Sequence, residues 1–279
     1  MEERVKHHYA CPDLADAIRN GLETAGKPLA DLKPRDLAPV DQLHTGGPKA
    51  TIDLVKKAGL TEAQTILDVG CGIGGTTRLL AQQFHLKATG IDITPDFISA
   101  ARTLTQWCKM AQGPAIEFHQ GSVLNMPFSD DHFDAVICQH ILMNIEDKPK
   151  ALAECHRVLK PGGTIILHEI TDGPGPDPLM PVPWGSDPAT SFVPKWEGLQ
   201  TQLEDAGFNL IHFSDETQNA VTWWHKVNTI HTTKGIPPVN TSLIFGPMAK
   251  QFGPNLEKNF STGAIGCIEA IFTKPDVKA

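Results

Sequence analysis

The sequence has no C-x-x-C pair, although it contains six cysteines. They are scattered along the chain and several fall in apolar stretches, which is typical of reduced, buried thiols rather than of a disulfide framework. The adjacent histidines His7 and His8 cannot share one helix face, and no ligand cluster follows them. We therefore expect a cytoplasmic protein without a bound metal.

The sequence also has no apolar run that approaches the roughly 20 residues needed to span a bilayer. Its first stretch, MEERVKHHYACPDL, lacks the apolar core of a secretory signal, so we expect none. Positive charge is scarce, because 24 lysines and arginines face 32 aspartates and glutamates, for a formal net charge of −8. Since nucleic-acid binding needs a basic face, we expect no nucleic-acid partner. Since no long apolar run is present, we expect no membrane span.

The first sixty residues have a helical pattern. Leu14, Ile18 and Leu22 recur at four-residue spacing and predict one buried helix face. Residues 27–47 are rich in proline and glycine and predict loops and short turns. Residues 47–60 predict a second helix that ends at Gly59.

From Thr65 onward, short apolar strands alternate with helices, which predicts an α/β fold with a mostly parallel sheet covered on both faces. The predicted strands are 65–70, 87–93, 115–122, 133–140, 164–170, 209–216 and 263–275. The predicted helices between them are 74–84, 94–111, 147–163 and 195–208.

Two segments interrupt this alternation. Residues 171–194 carry seven prolines between Pro174 and Pro194, and a loop of that length is usually a lid or substrate loop. Residues 217–260 hold shorter helix-like pieces around Trp223. We therefore expect an N-terminal helical extension or lid at 1–60 and a single domain at 61–279 with insertions at about 171–194 and 217–260.

The stretch LDVGCGIGG, residues 67–75, places a strand directly before a glycine-rich turn. Gly70, Gly72 and Gly75 match G-x-G-x-x-G, a pattern that alone would also suit a dinucleotide-binding oxidoreductase. Asp68 disfavours that alternative, because a carboxylate two residues before Gly70 would repel a pyrophosphate. The single tyrosine, Tyr9, lies far along the sequence from the glycines and offers no catalytic Tyr–Lys pair.

Four stretches, in this order and spacing, resemble the class I S-adenosylmethionine (AdoMet)-dependent methyltransferases. They are LDVGCGIGG, GIDITPDFI, FHQGSVLNMPFSDDHFDAV and RVLKPGG, and they lie between Thr65 and Ile170. The similarity is strongest to the ubiquinone/menaquinone-biosynthesis type and the glycine/sarcosine N-methyltransferase type. It implies a Rossmann-like, seven-stranded sheet, with AdoMet as the cofactor.

The resemblance also implies roles for individual residues at the carboxyl ends of the strands. In it, Asp92 holds the ribose hydroxyls, and Ser122 lies at the adenine edge where many members have an aspartate. The hydroxyl of Ser122 is a weaker hydrogen-bond acceptor for the adenine amino group than the carboxylate of an aspartate. The implied cofactor-binding residues are Asp68, Gly70, Cys71, Gly72, Asp92, Ile93, Ser122, Val123 and Gln139.

Methyl transfer from a sulfonium mainly requires alignment of the nucleophile, and a base is needed only if the nucleophile must lose a proton. We expect His140 and His44 as the catalytic candidates, with His168 and its neighbour Glu169 also considered. Expected substrate contacts are Gln42, Met143, His168, Trp184 and Trp223. The acceptor is expected to be a small molecule, and its reacting atom (N, C, O or S) stays open.

Two further questions stay open at the level of sequence. A protein of this fold could bind AdoMet or S-adenosylhomocysteine (AdoHcy) without transferring a methyl group, and turnover would separate that alternative from an enzyme. The helices of residues 1–60 could cap the site or pair two subunits, so both a monomer and a homodimer are compatible with the sequence.

Overall fold

The computed structural model describes residues 2–110 and 114–276. Within these residues, the strands are β1 (Thr65–Val69), β2 (Lys87–Asp92), β3 (Ile116–Gln120), β4 (Phe133–Gln139), β5 (Leu159–Asp172), β6 (Asn209–Asp215) and β7 (Ile265–Thr273). They form one seven-stranded sheet in the order β3-β2-β1-β4-β5-β7-β6. Strands β1 to β5 pair in parallel, whereas β7 runs antiparallel to both β5 and β6. The predicted seven-stranded, mostly parallel α/β sheet is therefore confirmed.

The α-helices of the described residues are α1 (Glu2–Tyr9), α2 (Leu14–Thr24), α3 (Pro34–Asp41), α4 (Gly47–Ala58), α5 (Gly75–Phe84), α6 (Pro95–Trp107), α7 (Lys148–Val158), α8 (Trp196–Asp205), α9 (Thr217–Lys234), α10 (Ser242–Phe245) and α11 (Ala249–Ser261). None of them combines the length and the hydropathy needed to cross a bilayer. Helix α4 ends as predicted, with Gly59 in the left-handed conformation after its last residue.

Alternating residues of the central strands fill both faces of the sheet. Leu67 packs with apolar residues of α7 and α8 on one face, whereas Ile66 packs with residues of α4 and α5 on the other. The strand order reverses between β1 and β4, because β2 and β3 lie to one side and the later strands to the other. Ligands in such sheets bind at the carboxyl ends of the strands beside this reversal.

Residues 27–47 are only partly the loop that proline and glycine predicted, since they contain α3. Pro34 opens the helix at a position where its missing N–H costs nothing. The carboxylate of Asp36 accepts a hydrogen bond from the backbone N–H of Lys33 at 3.0 Å. Leu37 and Val40 are fully buried. Proline therefore does not exclude a helix here, since Pro34 starts α3 and Pro39 lies inside it.

Three other boundaries differ from prediction. Helix α7 ends at Val158, and the Pro-Gly-Gly turn predicted to close it lies inside β5, where an irregular register opposite Phe133 accommodates it. Residues 217–234 form one 18-residue helix instead of short pieces. Helix α6 ends at Trp107; Ala111 of its predicted span, and the predicted domain ends at 1 and 277–279, lie outside the described residues.

The N-terminal helices are tied to the sheet by a buried ion pair. Arg78 of α5 is fully buried, and its Nη2 donates to the Asp41 carboxylate and to the Ile73 carbonyl, each at 2.8 Å. Its Nη1 donates to Thr105 Oγ1 at 3.1 Å. One guanidinium thus joins the end of α3, the glycine turn and α6.

We predict that Asp41→Ala lowers the free energy of unfolding by about 3–5 kcal/mol, because it leaves the Arg78 charge buried without its partner. Denaturant unfolding followed by circular dichroism measures this. The matched control is Asp53→Ala, which breaks the exposed ion pair with Lys49 and should cost much less. Equal losses for both variants would contradict the anchoring role of Asp41.

Candidate active site

The glycine turn after β1 is shaped by its lack of side chains. Gly70 has a positive φ of 69°, and a Cβ added there would lie 2.5 Å from the side chain of Ile141. The backbone N–H groups of Gly70 and Cys71 both donate to the Ile91 carbonyl, at 2.8 and 3.0 Å. The turn is therefore folded tightly over the end of β2, which leaves backbone exposed to any ligand above it.

The N-terminal segment lies directly on this turn. A Cβ added to Gly75 would lie 2.2 Å from the Asp41 carbonyl oxygen and 2.7 Å from Gln42 Nε2. The Asp41 Oδ1 and Gln42 Oε1 atoms are buried and have no hydrogen-bond partner among the described residues. We call the segment that lies on the turn, residues 38–47, the cap. The glycines are therefore needed for the close approach of the cap as well as for the turn itself. The cap also contributes two acceptor oxygens that have no partner among the described residues.

Asp68 is a buried carboxyl group at the end of β1. Its Oδ2 accepts a hydrogen bond from Thr77 Oγ1 at 2.6 Å. Burial raises the pKa of Asp68 to about 7 against the opposing effect of Thr77. A cationic group bound beside Asp68 would stabilise the carboxylate and lower that pKa again.

Asp92, at the end of β2, is held by the backbone on both oxygens. Oδ2 accepts from the N–H of Gly72 at 3.0 Å, and Oδ1 accepts from the N–H of Thr94 at 2.8 Å. Burial raises its pKa as well. Each carboxylate oxygen keeps a further lone pair, so Asp92 can still accept two hydroxyl donors from a ligand.

A cavity of about 780 Å³ opens over these strand ends, which lies within the usual range for small-molecule sites. Most residues predicted for the site line it. They are Gln42, His44, Asp68, Gly70, Cys71, Gly72, Asp92, Ile93, Val123, Gln139, His140, Met143, Trp184 and Trp223. The fold therefore brings together residues that span about 180 positions of sequence.

Ser122 and His168 do not line the cavity, which differs from their predicted roles. The Ser122 hydroxyl accepts from the N–H of Leu124 at 2.9 Å and contacts the carboxylate of Glu2, which faces the cavity instead. His168 is buried behind His140, and its Nε2 lies 3.3 Å from Cys267 Sγ. Neither side chain is positioned to touch a ligand directly in this geometry.

His44 and His140 line the cavity floor, and His168 packs behind them. The ring centroids of His140 and His168 are 4.9 Å apart, and that of His44 lies 6.2 Å from His140 and 5.8 Å from His168. His140 has a left-handed φ of 52°, a strained conformation for a non-glycine residue and one that often marks functional positions.

Burial keeps all three imidazoles neutral near neutral pH. It lowers the pKa of His44 to about 4 and that of His168 to about 3, and it lowers the pKa of His140 well below its ordinary value. Neutral rings add no positive charge to the cavity. They can therefore lie beside a cationic ligand without repelling it.

The hydrogen bonds of His44 fix its tautomer. Its Nε2 lies 3.1 Å from the Gly47 carbonyl, which can only accept, so Nε2 carries the proton. The same N–H faces Thr51 Oγ1 at 3.0 Å. The lone pair is therefore on Nδ1, which has no hydrogen-bond partner in the described part of the chain.

The same chain of bonds orients Gln139. Its Oε1 accepts from Thr51 Oγ1 and Thr76 Oγ1, each at 3.1 Å. The amide nitrogen must then point the other way, and Nε2 is buried without a partner among residues 2–110 and 114–276. Gln139 thus has two N–H donors that no described residue uses.

Glu169 holds the loop that follows His140. Its carboxyl oxygens accept from the backbone N–H groups of Ile141, at 3.1 Å, and Leu142, at 3.2 Å. Burial raises the pKa of Glu169 to about 8. These contacts make it a positioning residue outside the cavity wall, rather than a base beside the acceptor.

His140, His168 and Cys267 also offer three metal-ligating atoms within 4.8 Å of one another, a grouping not evident from the sequence. Burial raises the pKa of the Cys267 thiol well above its ordinary value, which disfavours the thiolate that binds metal. The expectation that no metal binds stays a prediction.

Helix α1 forms a part of the cavity wall that the sequence did not indicate. Glu2, Val5 and Tyr9 of α1 line the cavity, and the Tyr9 hydroxyl lies 3.3 Å from Asn144 Oδ1. Val5 and Tyr9 are four residues apart, and this spacing on a short helix was the available signal. The one tyrosine that seemed remote in sequence therefore lies at the site.

Comparison with known proteins agrees with this geometry. Residues 67–167, which run from β1 into β5, match the family described as methyltransferase domain. Residues 67–167 are therefore identified as a methyltransferase domain. The predicted resemblance is confirmed.

The chain covers only part of the length of the curated relatives that it matches. Phosphoethanolamine N-methyltransferase 1 of Zea mays is 31% identical over 48% of this chain and 26% of that protein. The O-methyltransferase cnsE of Penicillium expansum is 30% identical over 62% of each. Among solved structures, the [4+2]-cyclase SpnF has a TM-score of 0.69 at 19% identity and covers 94% of both chains, which shows a shared fold alone.

We predict that the neutral His168 makes the folded protein acid-sensitive. The unfolded chain takes up the proton near the ordinary pKa of 6.5, whereas the folded chain resists until about 3, so stability is present at neutral pH and lost as pH falls. Between about pH 6 and 4, wild type should lose about 1.4 kcal/mol per pH unit relative to His168→Gln.

Denaturant unfolding at several pH values measures that difference. The control is His7→Gln, which removes an exposed imidazole and should follow the wild-type pH profile. Parallel profiles for wild type and His168→Gln would show that the His168 ring is not held neutral by the fold.

Proposed function

We propose that the protein is an AdoMet-dependent methyltransferase that acts on a small molecule inside the 780 Å³ cavity. One observation carries the proposal: the carboxyl groups of Asp68 and Asp92 flank the glycine turn in the same cavity as the neutral His44 and His140. The carboxyl groups thus suit a cofactor with cationic and hydroxyl groups, and the neutral imidazoles suit a protic acceptor.

The residues at the glycine turn fit AdoMet. The free acceptor oxygens of Asp41 and Gln42, together with Asp68, suit an ammonium group, which brings three N–H donors. Gly70, Cys71 and Gly72 would hold the methionine and ribose parts, and Asp92 the ribose hydroxyls. Ile93 and Val123 would flank the adenine, with Ser122 acting through Glu2.

When bound, AdoMet supplies a methyl group already activated by its sulfonium. The protein then has to hold the acceptor in line and exclude water, and it needs a base only for an acceptor that loses a proton. The lone pair on His44 Nδ1 and the neutral ring of His140 can orient a hydroxyl or amine, and Gln139 Nε2 can donate to it. We propose His44 and His140 as the catalytic residues.

Gln42, Met143, Trp184 and Trp223 line the cavity and are the proposed acceptor contacts, with His168 supporting His140 from behind. We propose that residues 1–60 act as a lid on the methyltransferase domain at 61–279. Six free thiols suit a cytoplasmic location. The methyltransferase relatives favour turnover over binding alone.

Calorimetric titration with AdoHcy, beside NAD, tests the cofactor. We expect micromolar binding of AdoHcy, no binding of NAD, and loss of AdoHcy binding in Asp92→Ala. The control is Glu117→Ala, an exposed acid on the neighbouring strand β3, which should bind AdoHcy as wild type does. NAD binding, or AdoHcy binding unchanged in Asp92→Ala, would contradict the proposal.

The same titration near pH 6 reports on Asp68. Because its pKa is about 7, the Asp68 carboxyl group is largely protonated at pH 6 in the protein without ligand. An ammonium group that binds beside Asp68 should therefore make this carboxyl group release its proton. The binding heat should then depend on the ionisation enthalpy of the buffer in wild type and not in Asp68→Asn. A buffer-independent heat in wild type would place the ammonium elsewhere.

A further inference from the structure

Carboxyl groups far outnumber lysines and arginines among the residues that line the cavity. Among the described residues, six carboxyl groups face it and a single lysine, Lys250. The six are Glu2, Asp41, Asp68, Asp92, Glu146 and Asp147. No arginine is among the residues that line the cavity in this part of the chain, because the guanidinium of Arg78 is buried behind Asp41.

These charges are not spread evenly. Asp41, Asp68 and Asp92 lie at the glycine turn, where the cofactor is proposed to bind. Glu146 and Asp147 also line the cavity and are exposed, as is Lys250. The other lining side chains that can become cationic are the histidines His44, His140 and His231, and burial keeps His44 and His140 neutral.

Much of the remaining cavity wall is apolar and aromatic. Trp223 and Trp224 of α9 pack edge to face with centroids 4.5 Å apart, and Trp224 Nε1 donates to Thr45 Oγ1 at 3.2 Å, beside His44. Other members of this wall are Leu43, Met143, Trp184, Ile230 and Phe252. The indole N–H of Trp184 is already bonded to Ser191 Oγ at 2.9 Å.

A phosphate or carboxylate out of reach of Lys250 would have no lysine or arginine to pair with among the described residues that line the cavity. Burying an anion without such a partner costs more than apolar contacts return, and the carboxyl groups that line the cavity would add repulsion. A neutral group pays neither cost. An ammonium gains from the carboxyl groups and from the faces of the tryptophans.

We infer that the methyl acceptor is an apolar small molecule that carries no anionic group, and that its nucleophile is a hydroxyl or an amine, the amine reacting as the free base after it has lost its proton. The inference rests on the proposed methyl transfer and narrows its substrate class. It separates this cavity from one suited to a phosphorylated acceptor, such as the compound named in the maize relative.

The test uses AdoHcy-loaded protein and three probes with one skeleton: tryptamine, tryptophol and indole-3-acetate, with phosphoethanolamine as a fourth. Calorimetry should show the amine and the alcohol binding at least tenfold more tightly than the carboxylate, and no measurable binding of phosphoethanolamine. Prior binding of AdoHcy confirms the cofactor site, so a failure here is distinct from a failure of the proposed function.

A charge-adding variant makes the cause explicit. Ile230 lines the cavity and is partly exposed, so Ile230→Lys should fold and should raise the affinity for indole-3-acetate about tenfold. The control is Ile211→Lys, the same change at an exposed position on β6 outside the cavity. Indole-3-acetate binding wild type as tightly as tryptamine, or no binding of the amine and alcohol, would overturn the inference.

Discussion

The buried ion pair between Asp41 and Arg78 is the constraint on which the site depends. Arg78 belongs to the helix that opens at the glycine turn, and Asp41 ends the helix that lies over that turn. Because neither charge has access to water, the two elements cannot separate without exposing or orphaning one of them. The cap, the turn and the acceptor oxygens beside them are therefore one unit.

The cavity floor is built on a different principle, since it is polar but uncharged. Thr51 links His44 to Gln139, and each bond in this chain fixes the donor or acceptor role of the next. The result is an ordered set of lone pairs and N–H groups without net positive charge. Such a floor can orient an amine or hydroxyl beside a cationic cofactor, which is the combination that methyl transfer requires.

The sheet and the glycine turn were predictable because each is encoded by residues that are close together in the sequence. Alternating apolar strands predicted the β-sheet, and Asp68, Gly70 and Asp92 predicted the ligand end. The cap was less predictable. Tyr9 and Glu2 reach the cavity through tertiary packing of a short helix, and the partner of Arg78 is 37 residues away. The alternation of residues along the strands also did not indicate that His168 lies behind His140 rather than in the cavity wall.

We propose that one cofactor binds between the glycine turn at residues 67–76 and the cap at residues 38–47. Hydrogen–deuterium exchange with and without AdoHcy tests this most directly, because it reports both segments in one experiment. We expect slower exchange at residues 67–76 and 91–94 and, together with them, at residues 38–47. Slower exchange at the turn without any change in the cap, or no change at either, would contradict it.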